Sequence, residues 1–181
     1  MTMRDTEAAY GPVTRLLHWG IAALILWQFL GMGLRLIFGR TPLVSFFVGS
    51  HQPVGLVLFV LIVVRVLWAL ANRGRRPPHA GALGRAARLG HGALYGLMLV
   101  VPAVALLRAW GGARGFAPWG IQIFAPRAEG AEITWAVDLA GLLHGELAWA
   151  LGALVLGHVA MVALHERLWR DGTLSRMLGR R

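Results

Sequence analysis

The chain contains no cysteine. That excludes disulfides, iron–sulfur clusters, thiolate zinc sites and covalent haem attachment through C-x-x-C-H. Any metal or cofactor must be held by His, Met or carboxylate, or by packing. Lysine is absent as well, so all 18 cationic side chains are arginine. Charge is scarce: 14% of the 181 residues carry one, against roughly 25% in a soluble domain. Internal repeats and low-complexity tracts are also missing.

Apolar residues fill the space that charge leaves. They make up 57% of the chain, and the mean hydropathy is +0.61. Charge-free runs occur at 16–34, 41–64, 89–107 and 147–165. Each reaches the roughly 18–20 residues that a helix needs to cross a hydrocarbon core. The pattern predicts an all-α integral membrane four-helix bundle, one domain over 1–181, with spans at about 16–38, 51–71, 89–110 and 139–164. No small-residue cleavage site follows the first apolar run, which therefore reads as a retained span and not a signal peptide.

The arginines predict the orientation. Thirteen lie in 1–15, 65–88 and 166–181, and five on the other side: Arg35, Arg40, Arg108, Arg114 and Arg127. The positive-inside rule then places both termini and the middle loop of a multi-pass membrane protein in the cytoplasm. The net charge of +10 is spread along membrane edges and not on one folded basic face, which argues against nucleic acid as a partner.

Histidine carries the chemistry. His144 and His158 stand fourteen residues apart in an apolar helical segment. Fourteen steps of 100° return to within about 40° of the same face, roughly 21 Å further along the axis. Ionisable groups inside a span are functional candidates by default. Because the spans alternate in direction, depth pairs His51 with His144 near the external side and His18 with His158 nearer the cytoplasm. Two facing imidazoles at each of two levels suit bis-histidine iron in two haem b groups. Gly141 and Gly145 beside His144, and Gly157 before His158, leave room for a flat macrocycle. Zinc fits poorly, since two imidazoles with at most Glu146 nearby underligate it.

Other features are smaller. Gly11-Pro12 opens the first helix, and Trp19 beside His18 suits a membrane interface. Arg65 reads either as a lipid-phosphate contact or as a partner for a cofactor carboxylate. The basic connector 72–88 includes His79, to which no chemistry is assigned. Gly92 and Gly96 permit close approach of a helix or a flat ligand, and Pro102 is expected to bend the third helix. The long external connection, about 111–137, carries Phe116, Trp119, Phe124 and Trp135 and reads as an interfacial cover. The tail 168–174 looks like a turn into a short final helix.

Several of these marks occur together in one known family. Arg15-Leu16-Leu17-His18-Trp19, His51, Val64-Arg65, Leu89-Gly90-His91, the His144/His158 spacing, and His165 through Trp169 to Asp171-Gly172-Thr173-Leu174-Ser175-Arg176-Met177 resemble the bacterial cytochrome b561 family. The resemblance covers almost the whole chain. It implies a di-haem four-helix membrane cytochrome whose axial ligands are His18, His51, His144 and His158. It further implies kinship with members that act as superoxide oxidases, an oxidoreductase activity that passes electrons from superoxide to ubiquinone. His91 and His165 then fall beside the cytoplasmic haem, as candidates for quinone contact, proton delivery or propionate hydrogen bonding.

A second function shares this ligand plan: a haem b subunit that serves a separate dehydrogenase or hydrogenase. The short segments outside the membrane offer it little docking surface. The partners expected are therefore membrane lipid, quinone, and superoxide or another periplasmic electron donor, with a dehydrogenase in the alternative.

Overall fold

The structure, a computed structural model, describes residues 3–6, 9–72, 74 and 81–179, without the side chains of 82 and 83. His79 and most of the basic connector lie outside the described residues. The architecture is all-α: α1 (Pro12–Phe38), α2 (Pro42–Ala71), α3 (Gly81–Gly111), α4 (Thr134–Leu164) and α5 (Thr173–Leu178). Among the described residues there is no strand, only a bridge that pairs Phe116 with Phe124. Four helices are long and apolar enough to cross a membrane.

The helices outrun the expected spans, for local reasons. Gly11 caps α1 in extended conformation and Pro12 takes its first turn, where a missing N–H costs nothing. Asp5 folds back over this start, and its Oδ1 accepts from the Gly11 amide at 2.9 Å and the Thr14 hydroxyl at 2.6 Å. A Cβ at Gly11 would stand 2.6 Å from the Met3 carbonyl, so only glycine permits that approach. The second helix starts at Pro42 and not near His51, because the Thr41 hydroxyl accepts from the Val44 amide and Pro42 follows the cap. His51 is therefore more than two turns inside α2.

The helices α1 and α2 pack on one another, as do α3 and α4, and contact between α2 and α3 joins the two hairpins. The core lies between two histidine levels. Ile21 and Ile25 follow His18 on α1, while Leu58 and Ile62 lie between His51 and Arg65 on α2. Leu151 and Val155 occupy the same stripe of α4 between His144 and His158. Large apolar side chains such as Leu26, Phe46 and Leu156 face outward with 62–72% of their surface exposed. In lipid such faces lose nothing by exposure, and the helices associate through packing and polar contacts.

Trp135, expected in the external connection, belongs to α4, where its ring meets Trp110 of α3 at 6.5 Å. The connection itself is pinned by Phe116–Phe124 backbone hydrogen bonds of 2.8 and 3.1 Å. Beyond α4 the chain widens into one π turn, His165–Trp169, before α5 turns back. The Trp19 indole donates to the Met177 carbonyl at 3.3 Å and ties α5 to α1.

Candidate functional site

The end of the bundle that carries the termini is here called the terminal end, and the end that carries the 112–133 connection the loop end. At the loop end the rings of His51 and His144 stand 6.1 Å apart, centre to centre. At the terminal end His18 and His158 stand 6.3 Å apart. A metal–nitrogen bond is about 2 Å and a ring nitrogen lies about 1.1 Å from its ring centre. Linear two-imidazole ligation therefore puts the centres about 6.2 Å apart. Both couples match that spacing. The third ring at the terminal end, His91, lies 5.4 Å from His158, closer than linear ligation between them would place it. Among the described residues no group of three or more His, Cys, Asp or Glu is placed to hold a metal ion. That favours iron capped by two imidazoles over zinc.

The surroundings fit a flat cofactor. A Cβ at Gly141, Gly145 or Gly157 would meet no atom within 4 Å, so the space beside His144 and His158 is open. The same holds at Gly92 and Gly96, where no other helix makes the close approach that the spacing allowed. A cleft with about 540 Å³ of empty space, its open mouth included, runs beside His51 and His144, with Gln28, Pro102 and Phe116 in its wall.

Hydrogen bonds fix most of the imidazoles. His144 Nδ1 lies 3.0 Å from the Val101 carbonyl. A carbonyl only accepts, so Nδ1 carries the hydrogen and Nε2 keeps its lone pair for a metal. Pro102, next in sequence, continues α3 while removing one helical hydrogen bond. His91 is held likewise, through Nδ1 to the Ala87 carbonyl at 2.7 Å. His51 differs: its Nδ1 is buried with no partner, as is Oε1 of Gln28. The Gln28 amide nitrogen donates to the His51 carbonyl at 3.0 Å, so the two orphaned atoms belong to adjoining groups. An unpartnered imidazole nitrogen suits a ring that gains a ligand.

His18 stands in a polar network. Arg65 Nη2 is 3.3 Å from His18 Nδ1, Nη1 donates to the Thr14 carbonyl at 3.1 Å, and Nε donates to the Tyr95 hydroxyl at 3.1 Å. The Trp68 indole donates to the Thr14 hydroxyl at 2.8 Å. Arg65 thus points into the bundle, and the lipid-phosphate reading gives way to an inward one.

His165 is set apart from this group. Its Nδ1 donates to Asp171 at 2.5 Å, and its ring meets Trp169 edge-on at 4.5 Å. The Thr173 hydroxyl, above all, holds the Asp171 carboxyl down at about pKa 2, with further help from the His165 ring and the Thr173 amide against an upward push from burial. An ionised carboxylate keeps the hydrogen on Nδ1 of His165. The structure therefore brings His18, His91 and His158 together, pairs His51 with His144, and leaves His165 on its own turn.

Sequence reasoning passed over Gln28, Thr14, Trp68 and Tyr95. Gln28 had a signal, as the one amide in the run 16–34. Thr14 lies one helical turn before His18, and Tyr95 one turn after His91, so each shares a face with a histidine.

Two comparisons bear on this arrangement. A family model for prokaryotic cytochrome b561 matches residues 9–180. The chain is also similar to cytochrome b561 homolog 2 of Escherichia coli (strain K12), 29% identical over 189 residues that cover 99% of this chain and 96% of the relative. The chain thus belongs to the prokaryotic cytochrome b561 family, multi-pass membrane proteins that carry electrons on haem b.

Proposed function

We propose that this chain moves electrons across the bacterial inner membrane, from superoxide on the periplasmic side, through two haem b groups, to ubiquinone on the cytoplasmic side. Bound haem b supplies one-electron iron chemistry at each level. His51 and His144 hold the periplasmic group, and His18 and His158 the cytoplasmic one. The observation that carries the reading is the pair of ring separations, 6.1 and 6.3 Å, at opposite ends of one apolar layer.

The overall reaction balances with two protons as the one further reactant. Two superoxide anions leave as two molecules of dioxygen, and the quinone takes the two electrons with two protons. The open cleft beside His51 and His144 gives a small donor access at the loop end. At the terminal end His91, with its Nδ1 hydrogen committed to Ala87, keeps Nε2 for contact with quinone. His165, oriented by Asp171, is suited to deliver protons from the cytoplasmic surface. The arginine excess supports cytoplasmic termini, thirteen against five.

The test is quinone reduction by the purified chain alone, driven by a superoxide-generating system, with haem stoichiometry measured on the same sample. Two haems and superoxide-dependent ubiquinol formation are expected. Two haems without that activity, with a dehydrogenase that co-purifies, would favour the electron-transfer-subunit reading.

A further inference from the structure

The two imidazole couples differ in charge. The cleft at the loop-end couple is walled by neutral groups, among them Gln28, Pro102 and Phe116. There His144 donates Nδ1–H to the Val101 carbonyl, which makes the ring a more electron-rich ligand. At the terminal end a guanidinium stands 3.3 Å from the His18 ring. All three of its hydrogen-bonding partners, Tyr95, Thr14 and His18, offer neutral atoms. Ligation of iron through Nε2 of His18 puts the hydrogen on Nδ1 and removes the Arg65 contact to that nitrogen. The bonds to the Thr14 carbonyl and the Tyr95 hydroxyl then keep the cation beside the ring.

We propose that Arg65 sets the direction of electron flow, by raising the reduction potential at the His18/His158 site above that at the His51/His144 site. The inference rests on the two-haem reading above. A cation held next to an axial ligand favours the state with one more electron, and it does so strongly where little water screens it. A carbonyl that accepts from the other site's ligand works in the opposite sense. Each transfer oxidises the iron at one level and reduces the iron at the other by one electron, with no bond or proton exchanged. An electron that moves inward runs against an inside-negative membrane potential, so a rise in reduction potential along the path offsets that cost. Arg65 is a positioning residue here: it acts through His18 and the local field.

The experiment is a spectroelectrochemical titration of the purified holoprotein, after pigment analysis has counted its haems. His144→Ala retains the terminal-end haem and identifies its midpoint, which is expected to be the higher of the two. Arg65→Gln is expected to lower that midpoint and shift the sharing of an electron between the sites at least tenfold, or 59 mV for one electron. Arg65→Lys keeps the charge and is expected to retain most of the difference, which a merely structural role would not. A terminal-end midpoint below the loop-end one in protein that retains Arg65 overturns the inference. So does an Arg65→Gln protein with both haems and unmoved midpoints, or equal shifts from Gln and Lys. If Arg65→Gln loses the terminal-end haem, the order of the two midpoints with Arg65 in place decides the question. A count other than two haems refutes the underlying reading instead.

Discussion

The carboxylate of Asp171 and the imidazole of His165 meet at 2.5 Å across the π turn that ends α4. This bond fixes the tautomer of His165, the one histidine among the described residues with no ring contact to either couple. It also closes the path of the chain from α4 into α5, because the same carboxylate accepts from the Thr173 amide at 3.0 Å and the Thr173 hydroxyl at 2.6 Å.

Acid should open this turn. The Asp171 pKa is depressed to about 2, chiefly by the Thr173 hydroxyl, so the folded turn favours the ionised form. Its contribution is complete above the ordinary carboxylate range and is lost as pH falls through about 2. Amide exchange in 165–178, taken relative to the intrinsic rate at each pH, should therefore quicken between about pH 4 and pH 2, while the four long helices stay protected. Asp171→Asn should bring that rapid exchange to neutral pH, and unchanged exchange in the variant would refute the role.

Proton supply is tested by His165→Ala. Both haems are expected to remain, because neither couple touches this ring, while steady-state quinone reduction falls by about 10². Turnover at the parent rate would leave His165 with an interfacial role only.

Ligand assignment is tested by His144→Ala. One haem should be lost and one retained, read from pigment extraction and the reduced-minus-oxidised spectrum. A variant that retains both would separate His144 from iron.

Gln28 offers a subtler probe. Its amide nitrogen donates to the His51 carbonyl, while its Oε1 and the His51 Nδ1 are both buried without a partner. Gln28→Leu should weaken haem retention at the loop end about 10–100-fold, as loss of an outer-shell partner does. The check is loop-end occupancy when haem is limiting, with the terminal-end haem as internal reference.

Gly115→Ala tests the loop. The residue sits at φ 65°, and a Cβ there would lie 2.6 Å from the Phe124 carbonyl. A cost of about 1–3 kcal/mol is expected, seen as a lower thermal midpoint. An unchanged midpoint would mean that the Phe116–Phe124 pairing yields freely.

Much of this was legible in order and spacing alone. Charge-free runs of membrane length specify helices, since only internally bonded backbone is tolerated in lipid. Alternation of direction then sorts His18, His51, His144 and His158 into two levels, and the measured ring distances agree with that sorting. Helix ends were read less well. The Thr41 cap lies far ahead of His51 in sequence, and hydropathy responds to composition and not to a hydroxyl that satisfies an amide. Trp135 was misplaced for another reason: α4 opens without a side-chain cap, after the Ile133 amide has bonded to the Gly111 carbonyl on α3.

What the one-dimensional pattern could not contain is which side chains from different helices share a neighbour. Arg65 has the same sequence context whether it reaches lipid phosphate or the interior; only the packing of α1, α2 and α3 put Thr14, His18 and Tyr95 within its reach. Gln28 gained its meaning in the same way, from a carbonyl on α2. Periodicity and hydropathy are properties of single helices and determine the levels at which the histidines sit. The field at each level is a sum over several helices, and only tertiary structure decides it.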